Sequence, residues 1–185
     1  MDNSRSFPGK CSNLFFNQRV FFEEDASLKA GIPFLLTLGY AVLAAISAYI
    51  AASGLDVSIG IAGAVGAGFT VLIAWILLSL VFLISLKVIG RAACTYKNVL
   101  CVCGYVSALM MFETLLTLIL SLIGAANPVV LLLLSGVFLL WSIPVWYFGF
   151  RASAASSDKR VMISVIVPVI IMAIVTIINS LGSVA

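Results

Sequence analysis

The sequence predicts an all-α, polytopic membrane protein, a bundle of five transmembrane helices with a short interfacial N-terminal helix before it. Of its 185 residues, 63% are hydrophobic and 9% are charged, whereas about 25% of the residues in a soluble domain are charged. Apolar runs of about 20 residues, long enough to cross the hydrocarbon core as helices, occur five times along the chain. This composition argues against a soluble enzyme, a disordered chain and a nucleic-acid-binding protein.

The five apolar runs divide the chain into a cytoplasmic amphipathic segment, residues 1–30, and a transmembrane domain, residues 31–185. The predicted spans are residues 31–53, 57–86, 99–123, 129–150 and 161–180. The second span has about 30 residues and rises about 1.5 Å per residue, so it exceeds the thickness of the hydrocarbon core and should tilt or protrude.

The basic residues predict the orientation of the bundle. All 10 lysines and arginines precede the first span, or lie between the second and third spans, or between the fourth and fifth. They are Arg5, Lys10, Arg19, Lys29, Lys87, Arg91, Lys97, Arg151, Lys159 and Arg160. Because loops rich in Lys and Arg stay in the cytoplasm, we expect a cytoplasmic N-terminus and an external or lumenal C-terminus. In a prokaryote the location would be the plasma membrane.

Residues 14–22, the aromatic segment, are the most apolar part of the N-terminal region. The apolar side chains in it are Leu14, Phe15, Phe16, Val20, Phe21 and Phe22. Positions 14, 15, 18, 21 and 22 would share one helical face, which is apolar except for Gln18. A helix in the membrane interface would bury this face and hold Arg19 near lipid phosphates. Two interpretations stay open: a membrane-surface anchor and a docking surface for a cytoplasmic protein.

Glu113 is the one carboxylate well inside a predicted span. A charge at that depth costs about 2.5 kcal/mol or more, so the side chain should be protonated, paired or facing a wet cavity. Possible partners are Tyr40, Tyr49, Trp75 and Asn179. Its role could be a hydrogen bond between helices, a proton or cation relay, or a contact with a lipid or ligand.

Small residues recur at four-residue spacing in the second span. Gly60, Ala64 and Gly68 form one series, and Gly63 and Ala67 form another. Such spacing lets helix backbones approach closely. The two interpretations are tight packing within the bundle and homo-oligomerisation.

Three aromatic residues lie near the cytoplasmic end of the fourth span: Trp141, Trp146 and Tyr147. Tryptophan and tyrosine are enriched where helices cross the membrane–water interface. We therefore expect these three side chains to form part of an interfacial aromatic belt.

Catalysis is not expected. The sequence contains no histidine, so the residue that most often activates a nucleophile or binds a metal is missing. The 4 cysteines do not follow the spacing of a zinc or iron–sulfur site. We predict no catalytic residue, cofactor or metal, and therefore no enzyme.

Several short motifs resemble those of a known family. The aromatic segment resembles the stretch before the first span of the Yip-domain proteins, which are named for interaction with Ypt/Rab GTPases. The sequence GYVS at 104–107 resembles the start of their third span. The later matching residues are Trp141, Ser142, Gly149, Phe150, Arg151, Lys159 and Pro168. The resemblance runs from about residue 14 to residue 180 and is strongest to the compact prokaryotic members.

The resemblance implies membrane organisation or trafficking through protein partners, without catalysis. The alternative is a small transporter or channel that uses Glu113. The candidate functional residues are Phe15, Phe16, Arg19, Phe21, Phe22, Tyr105, Glu113 and Trp141. The expected partners are membrane lipids, a cytoplasmic protein and a second copy of the chain, with no nucleic acid.

Overall fold

A computed structural model describes residues 7–25, 31–52, 57–154 and 156–182, and every regular element within these ranges is helical. Two short helices, α1 (Phe7–Phe16) and α2 (Gln18–Val20), lead into a π-helical turn over Phe21–Asp25. The long helices that follow are α3 (Gly31–Ala51), α4 (Val57–Val88), α5 (Tyr96–Leu122), α6 (Pro128–Ser153) and α7 (Asp158–Gly182).

The long helices confirm the prediction of a helical membrane bundle. Within the described residues, four helices are long and apolar enough to cross a membrane, namely α3, α4, α5 and α6. Helix α7 occupies the fifth predicted run, but the side chains of residues 175–182 lie outside the described part of the chain. The fifth span therefore stays a prediction.

Local polar groups explain where α5 and α6 begin. The Thr95 hydroxyl accepts a hydrogen bond from the Asn98 backbone N–H at 3.3 Å, and Asn127 Oδ1 accepts one from the Val130 N–H at 2.9 Å. Both side chains cap amide groups that the first helical turn leaves without partners. Pro128 follows at the first position of α6, where its missing N–H costs no helical bond.

Helix α5 lies at the centre of the bundle. Half of its apolar window is buried, against 11% to 22% in the other three candidate spans. It packs against α3, α4 and α6, while α7 packs against α4 and α6. Helices α3 and α5 run in the same direction, because Pro33 meets Gly104 and Thr37 Oγ1 lies 3.0 Å from Ser107 Oγ.

The packed core lies at the end of the bundle that carries the basic loops, residues 87–97 and 151–160. In α5 the buried positions run from Val99 to Leu109, and in α6 they run from Phe138 to Phe150. From residue 110 to 122 of α5 and from 128 to 137 of α6, every side chain is half-buried or exposed. The opposite half of these two helices is therefore less tightly packed than the half beside the basic loops.

Trp146 belongs to this core, so its predicted position in an interfacial belt is wrong. Its side chain is 2% exposed. Its ring centroid lies 4.8 Å from that of Phe82 on α4, and Phe82 also contacts Phe150 at 5.2 Å. Trp141 and Tyr147 are half-buried.

Candidate functional site

The aromatic segment is folded against the bundle. Helix α1 ends at Phe16, and Asn17 has φ −140° and ψ 62°, so the segment is not one continuous helix. The five positions of the predicted face, 14, 15, 18, 21 and 22, are nevertheless all buried or half-buried. Leu14, Phe21 and Phe22 are 5%, 5% and 7% exposed. Protein atoms therefore bury these side chains, where the sequence predicted burial among lipids.

The first half of the segment docks through Phe15. Its ring makes edge contacts with Phe112 on α5, at 5.0 Å between centroids, and with Trp141 on α6, at 6.2 Å. The Trp141 indole N–H donates to the Phe15 carbonyl at 2.9 Å, and Gln18 Nε2 donates to the same oxygen at 2.8 Å. The end of a helix leaves carbonyls without helical partners, and these two donors satisfy one of them.

The second half of the segment docks around Tyr105. The rings of Phe21 and Phe22 make edge contacts with the Tyr105 ring at 5.0 Å and 5.8 Å. Gly149 on α6 makes room for this contact. A Cβ atom built there would lie 3.0 Å from Phe22 Cζ and 2.5 Å from Val102 Cγ1, so a larger residue would displace the segment or α5.

Two candidate residues of the segment face outward. Phe16 is 77% exposed, and its ring lies 6.1 Å from that of Trp141. Arg19 is exposed and forms an ion pair with Glu23 at 3.0 Å. An exposed pair of this kind contributes about 0–1 kcal/mol, so Arg19 does little to hold the segment in place.

Polar side chains from three helices converge near Glu113, which is half-buried on α5. The Ser135 hydroxyl on α6 donates to Glu113 Oε1 at 2.5 Å. Tyr40 on α3 shares a hydrogen bond with Thr114 and lies within electrostatic range of the Glu113 carboxyl group. The neighbouring residue Phe112 contacts the aromatic segment, so the two candidate sites adjoin.

The sequence analysis named Tyr40 as a possible partner of Glu113 but did not name Ser135. Tyr40 was among the expected partners of Glu113. Trp75 instead donates to the Leu100 carbonyl at 3.1 Å, and Tyr49 lies against Gly60. The side chain of Asn179 lies outside the described residues. Ser135 could have been found, since it is the only hydroxyl-bearing residue in the apolar stretch 129–141.

One series of small residues on α4 packs against α3. A Cβ atom built at Gly60 would lie 3.2 Å from the Tyr49 ring, and one at Gly68 would lie 3.7 Å from Ala45 Cβ. Ala64 lies on the same side and lines a groove of about 290 Å³ with Gly68 and Ala45. This series therefore packs within the bundle.

The second series of small residues is open. A Cβ atom built at Gly63 meets no heavy atom within 4 Å, and Gly63 is exposed. Ala67 is half-buried. A role of this face in homo-oligomerisation stays a prediction.

The two basic loops are joined to each other. The Ser156 hydroxyl donates to the Gly90 carbonyl at 2.6 Å, and the Ser85 hydroxyl donates to the Ser164 carbonyl at 2.8 Å. Arg151 pairs with Asp158 at 3.0 Å. The other basic residues of the loops are exposed and form no ion pair within the described part of the chain; they are Lys87, Arg91, Lys97, Lys159 and Arg160.

The cysteines resemble packing residues. Cys94, Cys101 and Cys103 are buried and form no disulfide among the described residues. Burial raises the pKa of the Cys94 thiol, in the loop before α5, although the charge of Lys87 opposes the shift. Among the residues that the structure describes, no three His, Cys, Asp or Glu side chains lie together as metal ligands would.

These features define an integral, multi-pass membrane protein of helical type. The family model described as the Yip1 domain matches residues 12–178, which is most of the chain, so this protein belongs to the Yip1-domain family. The predicted resemblance is confirmed. No curated protein and no solved structure matches the chain.

Proposed function

We propose that this chain is a non-enzymatic membrane adaptor that organises membranes or their traffic by binding a cytoplasmic protein. The observation that carries the proposal is that the aromatic segment and the two basic loops adjoin one another. The aromatic segment reaches Gly149 through Phe22, two residues before Arg151. The loop that begins there is tied to the other basic loop by the hydrogen bond from Ser156 to Gly90.

The chemistry of this surface suits an acidic protein partner. Five exposed basic side chains lie on the two loops without an ion pair inside the described chain. Charge complementarity speeds association and selects partners.

The proposal includes an orientation. The two basic loops and the starts of α3 and α5 lie at the same end of the bundle, as the contact of Pro33 with Gly104 and the bond from Ser156 to Gly90 indicate. The positive-inside rule favours the cytoplasm for that end. The absence of histidine from the sequence supports a role without catalysis.

The test is affinity purification of the tagged full-length chain from membranes of its source cell. One variant combines Arg91→Glu and Lys159→Glu, which reverses charge on both loops. A second variant combines Lys87→Glu and Arg160→Glu, which reverses two further exposed charges of the same loops. Gly63→Ala is the control, because it changes an open position of α4.

We expect the same discrete partner to copurify with the wild type and with Gly63→Ala, and to be lost from both surface variants. None of the three variants should unfold at a lower temperature in detergent than the wild type, since the altered positions are exposed. An identical partner set for all of them would contradict the proposal.

A second function is favoured by the polar group around Glu113. Four polar side chains from three helices meet there, Tyr40, Glu113, Thr114 and Ser135, and intramembrane ionisable groups often mark ion pathways. On this alternative the protein would be a small transporter or channel with Glu113 as its titrating group.

Liposomes that contain the purified protein separate the two functions. Proton and cation flux would be measured under an imposed gradient for the wild type and Glu113→Gln. The adaptor proposal predicts no flux in either protein. Flux that disappears in Glu113→Gln would establish the alternative.

A further inference from the structure

A groove on the lipid-facing side of α3, α4 and α5 has no occupant among the described residues. Its volume is about 560 Å³, within the range of about 300–1,000 Å³ that is typical of ligand sites. It is lined by Gly31, Phe34, Trp75, Ile76, Tyr96 and Leu100. Phe34 and Ile76 are 48% and 49% exposed, so the groove opens towards the lipid.

Two hydrogen bonds hold the groove in shape. The Trp75 indole N–H on α4 donates to the Leu100 carbonyl on α5 at 3.1 Å, and the Tyr96 hydroxyl on α5 donates to the Ile76 carbonyl on α4 at 3.2 Å. The polar atoms of both aromatic side chains are thus directed at backbone carbonyls. An occupant would therefore contact the apolar faces of these rings, in a groove whose shape the two hydrogen bonds already fix.

Positive charge lies at one end of this groove. The groove includes the first residues of α3 and α5, Gly31 and Tyr96, so it begins at the basic end of the bundle. Lys97 follows Tyr96, is exposed, and forms no ion pair within the described chain. The loop from residue 87 to 97 contains three basic residues and no acidic one.

We propose that the groove binds one anionic phospholipid, with an acyl chain against the three aromatic rings and the headgroup phosphate at Lys97. A long lysine side chain can lie along apolar surface and hold its ammonium group at the level of the headgroups. Basic sites beside transmembrane helices on the cytoplasmic side suit anionic headgroups. The charge and the groove therefore select the same ligand.

Two variants test the two parts of this site. Lys97→Gln removes the charge and leaves the groove. Gly31→Phe fills the groove, since a Cβ atom at Gly31 meets nothing within 4 Å. The matched controls are Lys159→Gln, an exposed lysine on the other loop, and Gly63→Phe, which adds the same ring at an open position of α4.

Each full-length protein would be reconstituted in vesicles of equal parts POPC and POPG, extracted in mild detergent, and measured by native mass spectrometry. We expect the wild type and both controls to retain one POPG in preference to POPC. Lys97→Gln should lose about fivefold of that preference, the value expected for one basic residue at the membrane surface. Gly31→Phe should retain no lipid.

Three results would overturn the proposal. The first is equal retention of POPC and POPG by the wild type. The second is undiminished POPG on folded Gly31→Phe. The third is a wild-type dimer that Gly31→Phe abolishes, which would make a second copy of the chain the occupant. If Gly31→Phe does not fold, unchanged preference in Lys97→Gln, whose altered side chain is exposed, refutes the proposed site.

Discussion

Replacing Gly104 with alanine should force α3 and α5 apart. A Cβ atom at this position would lie 2.6 Å from Pro33 Cβ and 2.9 Å from the Pro33 carbonyl oxygen. Carbon atoms in contact are separated by about 3.5–4.0 Å, so the helices must part by about 1 Å. Neither the proline ring nor the backbone can rotate away. The same movement would stretch the Thr37–Ser107 hydrogen bond, now 3.0 Å.

The loss in the free energy of unfolding of Gly104→Ala can be estimated from the known cost of overpacking. Inserting a methyl group into a packed contact costs about 1–3 kcal/mol, and alanine returns up to about 1 kcal/mol of helix propensity relative to glycine. Gly63→Ala is the matched control, because it gains the same propensity at a position with nothing within 4 Å. The free energies of unfolding of the two variants should therefore differ by about 1–3 kcal/mol.

The measurement is reversible unfolding in detergent micelles, followed by the fluorescence of the 3 tryptophans. Gly104→Ala should unfold at lower denaturant than the wild type, and Gly63→Ala at the same concentration or higher. Equal stability of Gly104→Ala and Gly63→Ala would refute the close approach of α3 to α5, and with it the position of α5 at the centre of the bundle.

Three further outcomes follow from the site. Trp141→Phe keeps an aromatic ring, although a smaller one, and loses the donor to Phe15, so unfolding should cost at least about 1 kcal/mol less and proteases should cleave the aromatic segment faster; an unchanged cleavage rate would argue against docking. Glu113→Leu and Ser135→Ala should show a coupling of about 0.6–1.7 kcal/mol in a double-mutant cycle, and zero coupling would mean that the bond is absent. Burial raises the pKa of the Cys94 thiol, so its thiolate fraction at neutral pH is lower than that of an ordinary thiol. Alkylation, mapped by mass spectrometry, should therefore keep rising beyond pH 9, and a plateau below that pH would contradict the burial.

Much of the fold could be predicted because the membrane imposes a simple rule. Each spanning helix needs about 20 apolar residues, and these runs are unmistakable in the sequence. Helix starts could also be predicted where local chemistry decides them, as at Asn127, whose side chain caps α6. The aromatic segment was recognisable from its four phenylalanines alone.

The faces of the helices were not predictable to the same degree. In a soluble helix the buried side is the apolar side. Lipid and protein interior are equally apolar, so the distribution of apolar residues does not indicate which side of a membrane helix faces the bundle. Trp146 was therefore expected at the interface and lies in the core. For the same reason Ser135 could be singled out as the one hydroxyl of its stretch, but its pairing with Glu113 could not be predicted, since that contact depends on how α6 is rotated against α5.

The packing of the aromatic segment depends on contacts that are distant in sequence. Phe15 and Trp141 are 126 residues apart, and only the arrangement of α5 and α6 brings them together. The break at Asn17 coincides with three consecutive polar residues, Asn17, Gln18 and Arg19, but a polar run this short also fits a continuous helix, so it did not indicate the break. Gly149 is part of a motif in the sequence, but only the structure shows that its missing side chain leaves room for Phe22.

The aromatic segment packs on α5 and α6 as part of the protein surface. Photocrosslinking in intact membranes tests it most directly, with benzoylphenylalanine in place of Phe16, whose ring lies 6.1 Å from that of Trp141. The packing of Phe16 beside Trp141 predicts a crosslink within the chain, to the α6 peptide around Trp141. The same probe at Phe69, exposed on α4, should give no crosslink to α6. Crosslinks from position 16 to lipid alone would contradict this packing and make the segment a surface anchor.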